Sequence, residues 1–244
     1  MRAGVDVTTA EGIPDMPYPI PNMAIAVHPM HAPVPVLWWR SVGATHTAMA
    51  MEHTIDQLAR RAGRDPVEYR RALYAKAGEA GARHLAALNL AVEKSGYGQK
   101  LDTGWAQGVA VHECFGSVVA QVAEVSLDKG EPRVRRVVTA VDCGIAIAPN
   151  QIAAQMEGGT CYGLSAALYG KITLKDGAVE QSNFDSYRVL RMNEAPRVET
   201  YVVPSTNPPS GVGEPGTPVI APAVANALLV LTGKPTTSLP FVQA

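Results

Sequence analysis

Apolar residues recur at helical spacing in the first hundred residues and alternate in the manner of strands after Gly104. Ala48, Met49, Met51, Ile55, Leu58 and Ala59 predict a helix over 45–62 that stops before Gly63. Asp65-Pro66 is a helix start, a capping side chain followed by a ring preset to helical φ, and predicts a helix to about Ala77. The spacing repeats over 83–94 and ends at Ser95-Gly96. Beyond Gly104, the Val-rich segments 107–114, 117–127 and 134–141 predict strands, with Lys129-Gly130 as a turn between two of them. Asn150 is the expected cap of a helix running through Gln155 and Leu164 to about Leu168, interrupted at Gly158-Gly159. Paired glycines cost helix stability, so they predict the close approach of backbone or ligand there. Segments 171–174 and 197–203 read as further strands and 220–231 as a last helix. The fold class expected is α+β, a mixed sheet from 107 to 203 packed by helices.

The first 36 residues hold seven prolines and little periodicity, and read as an extended arm crossing a surface. The divisions expected are therefore 1–36, an arm; 37–104, mainly helical; and 105–244, an α+β region. With 244 residues, 47% hydrophobic and 18% charged, and a mean hydropathy of +0.02, the chain has the composition of a folded protein with a sizeable core. A net charge of −1 lacks the field that holds nucleic acid or an anionic membrane. No apolar run approaches the ~18 residues of a membrane span, and residues 1–20 lack the basic start and apolar stretch of an export signal. Cys114, Cys143 and Cys161 lack the short spacing of zinc or iron–sulfur ligands and read as small buried residues. His112 and Glu113, adjacent on a strand, face opposite sides and make no metal pair, and His46 reads as structural. Arg60, Arg61, Arg64, Arg70 and Arg71 read as a solvated helix face.

Three segments are candidates for chemistry. In Pro208–Leu228, Gly211, Gly213 and Gly216 surround a lone carboxylate, Glu214, where glycines permit tight turns and bare N–H groups beside a general base. The plainer reading is a surface turn with a solvated glutamate. In Gln155–Gly163, Gln155 offers an uncharged donor and acceptor beside a glycine gap, suited to reading the edge of a pterin or purine; helix packing is the alternative. In Trp38-Trp39-Arg40-Ser41-Val42-Gly43, an arginine between indoles and a small-residue turn can hold a phosphate or stabilise developing negative charge, or merely stack on a surface tryptophan. A small hydrolase using Glu214 and His112 is disfavoured, because no activated nucleophile accompanies them. There is no phosphate-binding loop, dinucleotide fingerprint, nucleophile elbow or HExxH zinc helix.

Five segments in order, VPVLWWRSVG (34–43), GVAVHECFGSVVAQVAEV (108–125), VDCGIAIAPNQIAAQMEGG (141–159), LYGKITLKDGAVEQSNFDSYRVLRMNE (168–194) and GVGEPGTPVIAPAVANA (211–227), resemble the C-terminal third of the molybdopterin-binding large subunits of the xanthine oxidase family. The likeness points to the isoquinoline 1-oxidoreductase beta-subunit branch. It implies oxidative hydroxylation of an N-heteroaromatic or aldehyde with water as oxygen source, Glu214 being the base. It also implies Gln155, Arg40, Ser41, Gly43, Gly158 and Gly213 as residues against molybdopterin, in its cytosine dinucleotide form, with Trp38 and Trp39 as candidate pocket wall. The implied partners are the remainder of the large subunit, a small subunit carrying [2Fe–2S] clusters and a small-molecule substrate. The chain departs from that pattern in its length and in lacking the glycine-glutamine loop near the metal. The expectation is thus a piece of a larger enzyme, split, truncated or excised, and silent alone; a noncatalytic remnant or assembly module is the alternative.

Overall fold

The structure, a computed structural model, describes residues 7–28, 30 and 34–242. In chain order the elements are α1 (Ala44–Arg61), α2 (Pro66–Lys76), α3 (Glu79–Ser95), β1 (Trp105–Cys114), β2 (Ser117–Asp128), β3 (Glu131–Asp142), α4 (Pro149–Tyr169), β4 (Leu174–Lys175), β5 (Ala178–Val179), β6 (Arg197–Val202) and α5 (Ile220–Thr232). Two tight hairpins build the centre. Phe115-Gly116 and Lys129-Gly130 all have positive φ, the twist that two-residue hairpin turns require, and they join β1, β2 and β3 into an antiparallel meander. Strand β6 then adds beside β3 in parallel, giving a mixed sheet of order β1-β2-β3-β6.

Both faces of this sheet are covered, which explains why its strands read as valine runs rather than strict alternation. On one face Val109, Val111, Val118, Ala120 and Val122 pack with Ala87, Leu88 and Ala91 of α3 and with Val67 and Tyr74 of α2. On the other, Ala110, Val119, Ala123, Val137 and Val141 meet Met156 and Leu164 of α4 and Ile220, Val224 and Leu228 of α5. Helix α5 is buried at every residue from Ile220 to Leu229, as expected of a helix apolar all round. It lies so close to β1 that a Cβ on Gly108 would stand 2.1 Å from the carbonyl oxygen of Ala223. Asp65 caps α2 with hydrogen bonds from Val67 N–H at 2.9 Å and Glu68 N–H at 3.1 Å, as its position before Pro66 predicts.

Several local expectations are corrected. Asn150 is not the cap of α4: Ala148 is the N-cap residue and Pro149 opens the helix, so Asn150 is already inside it. Gly158-Gly159 does not interrupt that helix, which runs 21 residues. Packing of one side against the turn at Gly216-Thr217 favours the helical state there, although Gly158 itself faces open space. The strand expected at 171–174 shrinks to a hairpin, Leu174–Lys175 paired with Ala178–Val179, off the main sheet. In the arm, 1–6, 29 and 31–33 lie outside the described residues; Val7–Ala10 is a 3-10 helix, and Met16 and Tyr18 are buried beneath the helices.

The arginine stripe is not all solvated. Arg70 is fully buried, with Nε donating to Glu52 at 2.9 Å, Nη1 to Asp56 at 3.2 Å and Nη2 to the Glu52 carbonyl at 2.8 Å. Glu52 also accepts from the Tyr18 hydroxyl at 2.6 Å and from Val111 N–H at 2.9 Å. Burial, and after it the Glu52 charge, hold the Tyr18 and Tyr74 phenols well above their ordinary range, so both stay protonated donors. No helix of the described residues is long and apolar enough to cross a membrane.

Candidate functional site

The loop before α1 and the turn before α5, 173 residues apart, are stitched together by short polar contacts. Arg40 donates through Nε to the Gly213 carbonyl at 2.9 Å, through Nη2 to the same oxygen, and through Nη2 to Gln155 Oε1 at 3.0 Å. Ser41 donates its backbone N–H to Glu214 Oε1 at 2.9 Å and its hydroxyl to the Glu214 carbonyl at 2.8 Å. That pairing requires an unusual backbone: Ser41 and the β-branched Val42 have φ of 80° and 50°, a region costly for side-chain-bearing residues. The loop tolerates it because Val42 N–H bonds the Trp39 carbonyl at 2.8 Å and Thr45 Oγ1 bonds the Arg40 carbonyl at 3.0 Å. Helix α4 supplies a third side. Tyr162, seven residues after Gln155 and so on the same helical face, stacks on Trp39 with centroids 4.7 Å apart and lies 5.6 Å from the Arg40 guanidinium.

Five of the seven residues singled out from sequence therefore meet: Arg40, Ser41, Gln155, Gly213 and Glu214. Gly158, one helical turn from Gln155, adds an exposed stretch of bare helix with nothing within 4 Å of a Cβ built there. Gly43 does not join them. Its N–H bonds Glu11 Oε2 at 3.2 Å, and a Cβ on it would stand 1.9 Å from the Thr8 carbonyl oxygen, so it seats the loop on the 3-10 turn behind. Trp38 is 71% exposed beside the loop.

Sequence reasoning missed the residues that hold the Glu214 turn from beneath. Gln121, fully buried on β2, donates through Nε2 to Thr160 Oγ1 of α4 at 2.8 Å and to the Gly216 carbonyl at 3.3 Å. Ser117 Oγ donates to the Gly211 carbonyl at 2.7 Å, and Ser210 N–H to the Cys143 carbonyl at 2.9 Å. The one available signal was a glutamine in the middle of a valine strand, which predicts a buried polar partner.

Glu214 Oε2 makes no hydrogen bond among the described residues, so one carboxylate oxygen is fixed and the other is free. Burial, then the Glu11 and Glu214 carboxylates, push the Cys114 thiol up to about 12, which keeps it uncharged and a poor nucleophile. His112 is buried beneath Gly12, where a Cβ would come 2.6 Å from its Nε2, and burial followed by His84 lowers it to about 3. It makes no hydrogen bond to Glu214, so the pair that a hydrolase would use is not assembled. Gln155 Nε2 has no partner among the described residues. With Gly158 and Gly213, and the Arg40 guanidinium bonded to Gln155 and Gly213, it forms an open patch of one free amide donor and bare backbone, chemistry that fits the amide-like edge of a pterin. Among the described residues no three His, Cys, Asp or Glu side chains cluster as metal ligands.

A family model for the molybdopterin cofactor-binding domain matches residues 41–196. The chain belongs to that family. It is 34% identical over 232 residues to the isoquinoline 1-oxidoreductase subunit beta of Brevundimonas diminuta, covering 93% of this chain and 29% of that protein. It is 30% identical over 214 residues to a protein of Gluconacetobacter polyoxogenes named membrane-bound aldehyde dehydrogenase [pyrroloquinoline-quinone], covering 80% of this chain and 28% of that one. The chain thus spans less than a third of the length of the curated relatives it matches. Quinoline 2-oxidoreductase from Pseudomonas putida 86 shares the fold, with a TM-score of 0.72 at 13% identity over 83% of this chain and 51% of that one. The mixed sheet with helices on both faces is accordingly the fold of a molybdopterin-binding domain.

Proposed function

We propose that the chain forms one wall of the active site of a molybdenum hydroxylase large subunit, with Glu214 as the base in oxidative hydroxylation of an N-heteroaromatic compound or an aldehyde. The observation that carries this reading is the clamp on Glu214: Ser41 N–H holds Oε1 at 2.9 Å while Oε2 is left open, beside Arg40 and Gln155. A base needs that division, because a carboxylate saturated by donors accepts no proton and a loose one is not aimed. Gln155 Nε2 and the bare backbone at Gly158 and Gly213 line the pterin, in its cytosine dinucleotide form. When bound, the molybdenum cofactor would supply the two-electron redox chemistry, and [2Fe–2S] clusters on a small subunit would supply the exit for the electrons. Arg40 orients the Gly213 carbonyl and Gln155 rather than reaching substrate, since two of its nitrogens are already committed to them.

The site is an open surface, with Gln155, Gly158 and Gly213 all exposed, so the opposing wall comes from the remainder of the large subunit. The chain alone is expected to fold and to be silent towards aldehydes and N-heterocycles in dye-linked assays. Metal, pterin and quinone analysis of the assembly formed with the flanking polypeptide tests the reading. Molybdenum with pterin, both held less tightly on replacing Gln155, supports it; an assembly that holds a quinone and no molybdenum overturns it. An assembly holding neither points instead to a noncatalytic assembly module.

A further inference from the structure

The two edges of the central sheet are finished differently. Strand β1 forms one edge, and two of its outward backbone groups are taken by side chains: Val111 donates its N–H to Glu52 at 2.9 Å and the Val109 carbonyl accepts from Asn226 Nδ2 at 2.9 Å. Asn226 is itself locked, its Oδ1 lying 2.7 Å from His53 Nδ1 while His53 Nε2 accepts from Thr236 N–H at 3.0 Å. Strand β6 forms the other edge. Val203, just past it, donates its N–H to the Val141 carbonyl at 2.8 Å. Lateral direction alternates along a strand, so Glu199 and Tyr201 aim their backbone groups at β3 while Val198, Thr200 and Val202 aim theirs outward. Those outward N–H and C=O groups have no partner among the described residues.

An unpaired row of this kind is a template for another strand, and proteins that must leave an edge bare blunt it with lysine, proline or a bulge. β6 has none of these, and its register with β3 is unbroken over all six residues. We propose that the β6 edge is an interaction surface that pairs with an extended segment of the polypeptide making up the rest of the large subunit. This rests on the reading above, and on the matched chain being only 29% of the length of the Brevundimonas relative, which leaves ample polypeptide to supply a strand. The surroundings fix the chemistry of the segment. On the α4 side it lies next to Val198 and Val202, which pack on the core there; on the α3 side it meets Arg197 and Lys94, the latter placed over Tyr201. Arg197 is already paired with Glu199 at 3.4 Å and Lys94 with Glu93 at 2.8 Å, so the occupant alternates apolar residues with polar ones.

Residue-resolved hydrogen exchange tests this, first on the chain alone and then on its assembly with the flanking polypeptide. In the chain alone the amides of Val198, Thr200 and Val202 exchange at least about 100-fold faster than those of Glu199 and Tyr201, the difference between a free group and a ladder bond. In the assembly they slow to match. Thr200→Pro removes only an outward N–H, so it leaves the β3 ladder intact and weakens assembly by about tenfold or more. The proposal is overturned if the three amides are already protected in the monomer, or stay unprotected in the assembly. It is equally overturned if protection appears as the chain concentration rises, which makes a second copy the occupant. Molybdenum and pterin content of the same assembly is read separately, so an assembly that holds cofactor with β6 still bare sinks this inference and leaves the functional reading standing.

Discussion

Glu52 on α1 and Glu214 in the turn before α5 each accept one backbone N–H at 2.9 Å, from Val111 and Ser41 respectively. There the likeness stops. Glu52 is fully buried, and its two oxygens are also taken by Arg70 and Tyr18, so nothing remains to react. Glu214 is partly exposed and keeps Oε2 free. A carboxylate that is saturated joins elements, here α1, α2, β1 and the N-terminal segment; one that is half-satisfied is aimed and still able to take a proton. Replacing each one should therefore damage different properties.

The largest effect is expected at the free carboxylate. Glu214→Gln keeps the Ser41 contact and the turn but cannot take a proton, so reduction of the loaded assembly by substrate falls by about 10²–10⁴-fold while cofactor content and melting stay level. Stopped-flow reduction of molybdenum-replete protein measures it, and a mutant retaining more than about a tenth of the rate makes Glu214 a turn residue only. Next is the saturated one. Arg70→Met leaves Glu52 buried without its cation, Asp56 keeping Arg60 at 2.9 Å, and should cost ~3–5 kcal/mol in denaturant unfolding of the chain alone. A loss below about 1 kcal/mol, the level of an exposed pair, would erase the contrast.

Acid sharpens the comparison from the same side of the molecule. His84 packs on Tyr74, whose hydroxyl meets that of Tyr18, with ring centroids 5.3 Å apart. Its Nε2 is 3.5 Å from Glu113 Oε2, long for a hydrogen bond; burial first, then Arg83, lower it to about 4, so it is a neutral neighbour rather than an ion-pair partner. With His112 at about 3, both histidines bind protons more weakly in the folded chain than at their ordinary value of 6.5. The unfolded chain then takes up more protons as pH falls below 6.5 towards 4, and stability drops through that window by about 1.4 kcal/mol per pH unit for each histidine. Well above pH 6.5, where both histidines are neutral in the folded and the unfolded chain, neither contributes a slope. Urea melts between pH 7 and 5 read it, and His84→Phe or His112→Leu should each remove part of the slope. The smallest effect is expected for Gln155→Ala, which removes one uncharged contact and should weaken cofactor retention by about 1 kcal/mol, roughly fivefold, without shifting the melt of the chain.

The regular elements were legible because each follows from local pattern: Asp65-Pro66 before α2, the two hairpin turns, and the apolar run that makes α5 a core helix. The chemistry-bearing segments were legible too, as an acid among glycines and a glutamine beside a glycine pair, and their order along the chain carried the family. Other features depended on which residues the fold brings together across long stretches of chain. Arg70 looked like one more solvated charge, because a sequence window cannot show that Glu52, 18 residues earlier, would close over it. Asn150 lost its capping role to the ring of Pro149, whose fixed φ moved the helix start two residues earlier, to an N-cap at Ala148. Gly158-Gly159 kept a continuous helix because packing against the Gly216-Thr217 turn outweighs intrinsic propensity. Composition and spacing by themselves determined the elements and the residue types available for chemistry. Tertiary structure decided which glutamate is tied on both oxygens and which on one, because hydrogen-bond saturation depends on groups up to 173 residues away.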